Sequence, residues 1–132
     1  MQVIIGTTDL TAYVQEKTYN VDAEDDYTAW QDAGGHDHRG GYLEKVKGSF
    51  DLVFFDGYSE NNVVVDHYGD FLTLIANNST DKRLTMKVSV NNKNNLLKEI
   101  VCYYELKSKP FRYANNGSNV IVKRVTMTIE ER

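Results

Sequence analysis

From Lys45 to Phe54 the chain alternates. Val46, Phe50, Leu52 and Phe54 fall on one side of an extended backbone, and Lys45, Lys47, Ser49 and Asp51 on the other. Successive side chains of a strand point to opposite faces, so a period of two specifies a strand with one dry face and one wet face. The pattern recurs three times. Leu84, Met86, Val88 and Val90 alternate with Thr85, Lys87 and Ser89. Ile100, Cys102, Tyr104 and Leu106 alternate with Val101, Tyr103 and Glu105. Ile121, Val125, Met127 and Ile129 stand against Arg124, Thr126 and Thr128. No half-dry strand hides its apolar side alone, so these dry faces must be covered by packing.

Turn chemistry punctuates the strands. Asn91–Asn95 is a run of asparagines broken only by Lys93, and Asn tolerates left-handed backbone; Asn116-Gly117 suits a tight type I′ turn. Pro110 ends the long strand before it. One segment departs from the period of two. Between Asp66 and Asn77 the apolar residues Tyr68, Phe71, Leu72 and Ile75 recur at helical spacing, with Asp66 or Asp70 to cap the start and Asn77 or Asn78 the end. Earlier in the chain we expect a strand at Gln2–Ile5, a turn at Gly6–Asp9, and two strands, Tyr19–Trp30 and His38–Leu43, flanking a glycine-rich stretch. The expected fold is mainly β: an antiparallel β-sandwich or barrel-like sheet with one short α-helix at about residues 66–77. No linker, repeat or low-complexity tract divides the chain, so residues 1–132 read as one β-rich domain.

Composition removes several classes of function. An apolar share of 41%, 11% of the chain being aromatic, supports a core. No apolar run approaches the roughly 20 residues of a membrane span, and MQVIIGTTDL lacks the basic and apolar regions of a signal peptide. A single cysteine, Cys102, excludes an internal disulfide and multi-thiolate zinc sites; on an inward-facing position it reads as a structural thiol. Neither a phosphate-binding loop nor a dinucleotide fingerprint occurs, and Ser49 lacks the G-x-S-x-G elbow. We expect no enzymatic activity and no cofactor. The net charge of −4 conceals a division: residues 1–70 carry fourteen acids against four bases, and residues 71–132 five against eleven. Such a layout bears on association rather than on fold.

Chemistry concentrates in AGGHDHRGG, residues 33–41. His36 and His38 alternate along an extended chain and so point the same way, with Asp32 or Asp37 as an oxygen donor, which makes them weak candidates for a divalent metal. The flanking glycines argue against a site held by packing, and the stretch reads better as a hairpin loop touching a neighbouring subunit. The acidic run Asp22–Asp26 lacks the glycine and distal glutamate of an EF-hand and reads as a solvated strand edge. Tyr13, Tyr19, Tyr27, Trp30 and Tyr42 supply rings in an acidic region, which disfavours tight nucleic-acid binding. Tyr27, Trp30, His36, His38 and Arg39 are the candidate subunit or ligand contacts.

The order of these pieces carries a resemblance. Met1–Val14, the strand Val46–Phe54, the Asp70–Asn78 helix and the closing strand Val120–Glu131 together resemble small prophage-encoded, tail-associated virion proteins of gut Firmicutes phages. More distantly they resemble tail-tube and baseplate-hub β-sandwiches with a flanking helix. The resemblance implies a structural protein that acts by self-assembly into rings or head-to-tail oligomers. Its partners would be itself and other virion proteins, with no membrane. It would reside in the host cytoplasm during assembly and then in the virion. The alternative is a receptor- or glycan-binding module of a phage tail, using the aromatic first third and the 33–41 loop.

Overall fold

The computed structural model describes residues 1–31, 37–113 and 119–132, and for residues 25–31 and 37–43 it describes the backbone pairing alone. The chain runs β1 (Val3–Ile5), β2 (Thr8–Asp9), two 3-10 turns at Thr11–Tyr13 and Glu16–Thr18, β3 (Asn20–Gln31), β4 (Asp37–Asp56), β5 (Ser59–Glu60), β6 (Val63–Val64), α1 (His67–Asn78), β7 (Ser79–Thr80), β8 (Arg83–Val90), β9 (Leu96–Ser108), β10 (Arg112–Tyr113) and β11 (Ile121–Glu131). All strands but β5 and β6 join one antiparallel sheet in the order β2-β1-β8-β9-β11-β4-β3, with β7 on β8 and β10 on β11. The mainly-β expectation holds, with a sandwich-like sheet that is not closed into a barrel. No described helix is long and apolar enough to cross a membrane.

Alternation decides what is buried. Val46, Phe50, Leu52 and Phe54 of β4, Leu84 to Val90 of β8 at every second position, Ile100 and Cys102 of β9, and Val125, Met127 and Ile129 of β11 form one core cluster. Helix α1 lies across this dry face, touching β4 on one side and β1 and β8 on the other. Asp66 caps it by accepting the Gly69 N–H at 3.0 Å, which selects Asp66 over Asp70. At the other end neither Asn77 nor Asn78 is the cap. The helix stops at Ser79, and the Asn78 side chain turns back to donate to the Leu74 carbonyl at 2.8 Å. Phe71 and Ile75 face the core, whereas Leu72, expected on the apolar stripe, is 40% exposed. The dry stripe runs instead through Phe71, Leu74 and Ile75.

The curl brings the two flanks of the sheet together without a ladder between them. β3 approaches the turn after β8, and side chains take the place of a strand. The Asn92 side chain accepts from the Ala23 N–H at 3.0 Å and donates to the Ala23 carbonyl at 2.6 Å, so one amide satisfies both backbone groups of a neighbouring residue. Asn91 donates to the Tyr19 carbonyl at 3.3 Å, and the Tyr19 hydroxyl donates to the carbonyl of Ser89. The asparagine run does more than turn the chain. Asn94 and Asn95 take the left-handed conformation expected of it (φ 57° and 56°), while Asn91 and Asn92 close the curl. The Asn115–Ser118 turn lies outside the described residues.

β4 is twenty residues long and changes neighbours along its length. Lys47–Asp56 pair with β11, and Asp37–Ser49 pair with β3. Gly48 stands where the two ladders overlap, facing Val21 on one side and Ile129 on the other. A Cβ there would come within 2.0 Å of the Asn20 carbonyl oxygen, so a glycine inside an otherwise clean strand pattern marks a close backbone approach. Beyond Val46 the pair β3–β4 continues outward with a register shift between Tyr27 and Ala29, and among the described residues no third strand joins it. At about 3.3 Å per residue this arm reaches roughly 30 Å past the sheet.

Replacing Asn92 with Ala orphans both backbone groups of Ala23, and urea denaturation is expected to register a loss of about 1–3 kcal/mol. Asn77→Ala, on the exposed side of α1, changes stability by less than about 0.5 kcal/mol.

Candidate functional site

The sequence-singled residues gather at the arm. Register places Trp30 opposite His38, Ala29 opposite Arg39, Gln31 opposite Asp37 and Tyr27 opposite Tyr42. His36 lies outside the described residues, and the side chains of Tyr27, Trp30, Asp37, His38 and Arg39 are not among those described, so the metal grouping of His36, His38 and Asp37 lies there too. Among the described residues no group of three or more His, Cys, Asp or Glu side chains is placed to hold a metal ion.

Among the described residues a sizeable concavity opens elsewhere, where α1 meets the first 3-10 turn and the end of β4. It begins with a charge inside the core. Asp56, the last residue of β4, is 1% exposed, and its carboxylate accepts from the His67 N–H at 2.8 Å and the Tyr68 N–H at 3.0 Å. The first N–H groups of a helix have no intrahelical partner, so a buried carboxylate there satisfies them and meets the positive end of the helix dipole. The compensating cation comes from β11. Lys123 occupies the dry-face position between Ile121 and Val125, and its Nζ lies 3.3 Å from Asp56 and 3.4 Å from Asp66. It also sits over the rings of Tyr68 and Phe111 at 5.6 and 5.5 Å, within cation–π range of both. The Gly69 N–H and the Lys123 charge hold the Asp66 carboxyl below its ordinary value of 3.8.

Anchoring α1 in this way fixes His67 against Tyr13. Their rings are 5.5 Å apart, and Tyr13 Oη lies 3.3 Å from His67 Nδ1. Tyr13 also packs 5.0 Å from Phe54. Burial raises the Tyr13 phenol above its ordinary value, with the nearby charges of Asp56 and Asp70 adding to it, so it stays neutral and hydrogen-bonding. Beside this pair opens a groove of about 360 Å³ with Thr8, Asp70, Thr73 and Asn77 at its rim. Its volume suits a small ligand, and its lining supplies hydrogen-bonding groups over an aromatic floor; no Ser or Cys lines it. Cys102 is remote from it, fully buried, and donates to the Leu84 carbonyl at 3.5 Å. Burial pushes its thiol up to about 12, so it is not a nucleophile at neutral pH.

Asp56, Lys123 and His67 were not among the residues picked from the sequence, and Tyr13 was picked only as one ring of the acidic first third. One signal was available: Lys123 interrupts the dry series Ile121, Val125, Met127, Ile129, and a lysine on a dry face requires a buried carboxylate. Comparison with protein-family models, with curated proteins and with solved structures returns no match.

Asp56→Ala strands Lys123 and two helix N–H groups, with an expected loss of about 3–5 kcal/mol in urea denaturation; adding Lys123→Met recovers part of it. The contribution of Asp66 has a defined pH window. Its folded value is depressed, so the stability difference between wild type and Asp66→Ala is full above 3.8 and shrinks as pH falls through the folded value. Denaturation midpoints at pH 7 and pH 2.5 measure it.

Proposed function

We propose that this chain is a structural subunit that acts by self-assembly, of the kind found in phage and prophage tails. The observation that carries the reading is the β3–β4 arm. Outside the sheet its two strands pair with each other alone among the described residues. A lone two-stranded ribbon is marginally stable in water, and each of its outer edges offers unpaired N–H and C=O groups. A second copy of the same chain is the simplest partner for such a ribbon, because strand addition satisfies those groups without any special side chain. Apolar residues on the wet face of the sheet support an assembling surface: Val101 and Tyr103 on β9 are 41% and 47% exposed, and Phe55 on β4 is 52% exposed.

The resemblance to tail-associated virion proteins supplies the setting. Assembly would take place in the host cytoplasm, with the finished subunit in the virion beside other virion proteins. A wall around passing DNA must not grip it, since each phosphate contact would have to be broken for the nucleic acid to advance; an acidic first half suits that requirement.

Sedimentation velocity is the test. The reading expects oligomers at low ionic strength that shrink as salt rises from about 50 to 500 mM, because exposed charge pairs are screened over that range. Residues 26–43 can be replaced by a two-residue Asn-Gly turn joining Asp25 to Glu44, which face each other in the ladder. The shortened chain is expected to keep its strand signal in circular dichroism and to sediment as a monomer. A wild type that stays monomeric at every concentration and salt would overturn the reading.

A further inference from the structure

We infer, resting on the self-assembly reading, that a basic cleft at the far end of β4 seats the acidic arm of a second copy of this chain. The cleft is built by Lys109, Pro110, Arg112, Val122 and Arg124 and encloses about 130 Å³, several times the ~30 Å³ share of one water. Strand register explains why its cations converge. Arg112 stands opposite Val122, which stands opposite Phe55, and Arg124 stands opposite Val53, one row further along the same face. Lys109 is drawn in by its backbone N–H, which donates to the Arg124 carbonyl at 2.9 Å.

These cations lack the partners that similar residues elsewhere possess. Lys93 pairs with Glu44 at 2.7 Å, Lys98 with Glu131 at 3.4 Å and Lys123 with Asp56 at 3.3 Å. Among the described residues Lys109, Arg112 and Arg124 make no ion pair. No acid occurs anywhere in residues 106–129. The nearest carboxylates on that face are engaged: Asp51 accepts from the Thr126 hydroxyl at 2.7 Å, and Glu105 lies 3.6 Å from Lys107. Arg124 also keeps its Nε buried without a hydrogen-bond partner, a donor that an incoming carboxylate would satisfy. Arg83 Nε is buried in the same unpartnered way, but its guanidinium lies over the Tyr103 ring.

The complementary charge lies on the β3–β4 arm, where Asp25 and Asp26 of β3 stand opposite Glu44 and Leu43 and Asp37 opens β4. Residues 25–43 hold Asp25, Asp26, Asp32 and Asp37 against Arg39 alone. From Val53 back to Asp37 the extended strand covers roughly 50 Å, and Leu43, opposite Asp26, lies roughly 30 Å from Val53, so the arm and the cleft of one copy are far apart. On two copies they meet. The contact is heterologous, each copy offering its arm to one neighbour and its cleft to the other, and such contacts propagate into a ring or a filament.

Charge exchange tests it by sedimentation at about 50 mM salt. Lys109→Glu with Arg112→Glu, both at exposed positions, is expected to raise the dissociation constant about a hundredfold, the scale of like-charge juxtaposition. Asp25→Lys with Asp26→Lys is expected to do the same. An equimolar mixture of the two variants should recover assembly, since the reversed arm then meets the reversed cleft. The milder Lys109→Gln, Arg112→Gln chain should fall between, with an unchanged thermal melt. Assembly of either reversed variant at wild-type strength, or no recovery on mixing, overturns the cleft assignment while leaving self-assembly standing. Tight binding of a duplex oligonucleotide that the Lys109→Glu, Arg112→Glu chain loses, with its oligomer intact, also overturns it and makes the cleft a nucleic-acid site. A monomeric wild type removes both conclusions.

Discussion

A sheet with one dry face has to hide that face, and here the hiding is done by curl. Phe50, Leu52 and Phe54 on β4 and Leu84, Met86 and Val88 on β8 stand three strands apart in sheet order, yet they share one core. They can do so because the flanks are drawn together by side chains. The Asn92 amide satisfies both backbone groups of Ala23, and the hydroxyl of Tyr19 reaches the Ser89 carbonyl. Backbone pairing would close a barrel, whereas amide and phenol groups permit a looser seam and leave room for α1. The helix fills the hollow with Phe71 and Ile75.

The same curl explains why an ion pair occurs inside. Where α1 enters the hollow its first N–H groups lose access to water, and Asp56 at the end of β4 is positioned to accept them. A buried carboxylate needs a cation, and Lys123 reaches it from the adjoining strand across two aromatic rings. The groove beside Tyr13 and His67 is a consequence of that anchoring. Its position is set by a helix held at one end and by the 3-10 turn that follows the edge of β4, where the Gln15 N–H donates to the Asp51 carbonyl at 2.9 Å.

β4 gives the molecule a direction. Its first ten residues belong to a ribbon outside the sheet, its last ten to the sheet itself, and Gly48 marks the overlap where β3 comes too close for a side chain. The arm carries Asp25, Asp26 and Asp37, and among the described residues Lys109, Arg112 and Arg124 near the other end of β4 make no ion pair. In the proposed assembly, unlike ends favour chain growth over two-fold pairing, because a two-fold contact places like patches together.

The strands of the core were legible in the sequence because burial on one face leaves a period of two; β4 and β8 bury every residue that alternation selected, while Tyr104 and Leu106 of β9 and Ile121 of β11 are only half-buried. The helix was legible for the same kind of reason, local spacing, with Asp66 and Asp70 both open as its cap until the Gly69 hydrogen bond selected Asp66. The short hairpins were missed. The turns at Asn61-Asn62 and Asp81-Lys82 both run through left-handed backbone, yet their strands, two residues each on β5, β6 and β7, are too brief to show a period. Which faces the charges meet across, and that Asn92 would serve as a strand, depend on residues as far as 69 positions apart being brought together. Sequence determined the elements and their dry faces, since those follow from neighbours along the chain. Tertiary structure alone decided the seam, the Asp56–Lys123 pair and the separation of acidic arm from basic cleft, since each depends on how far the sheet bends.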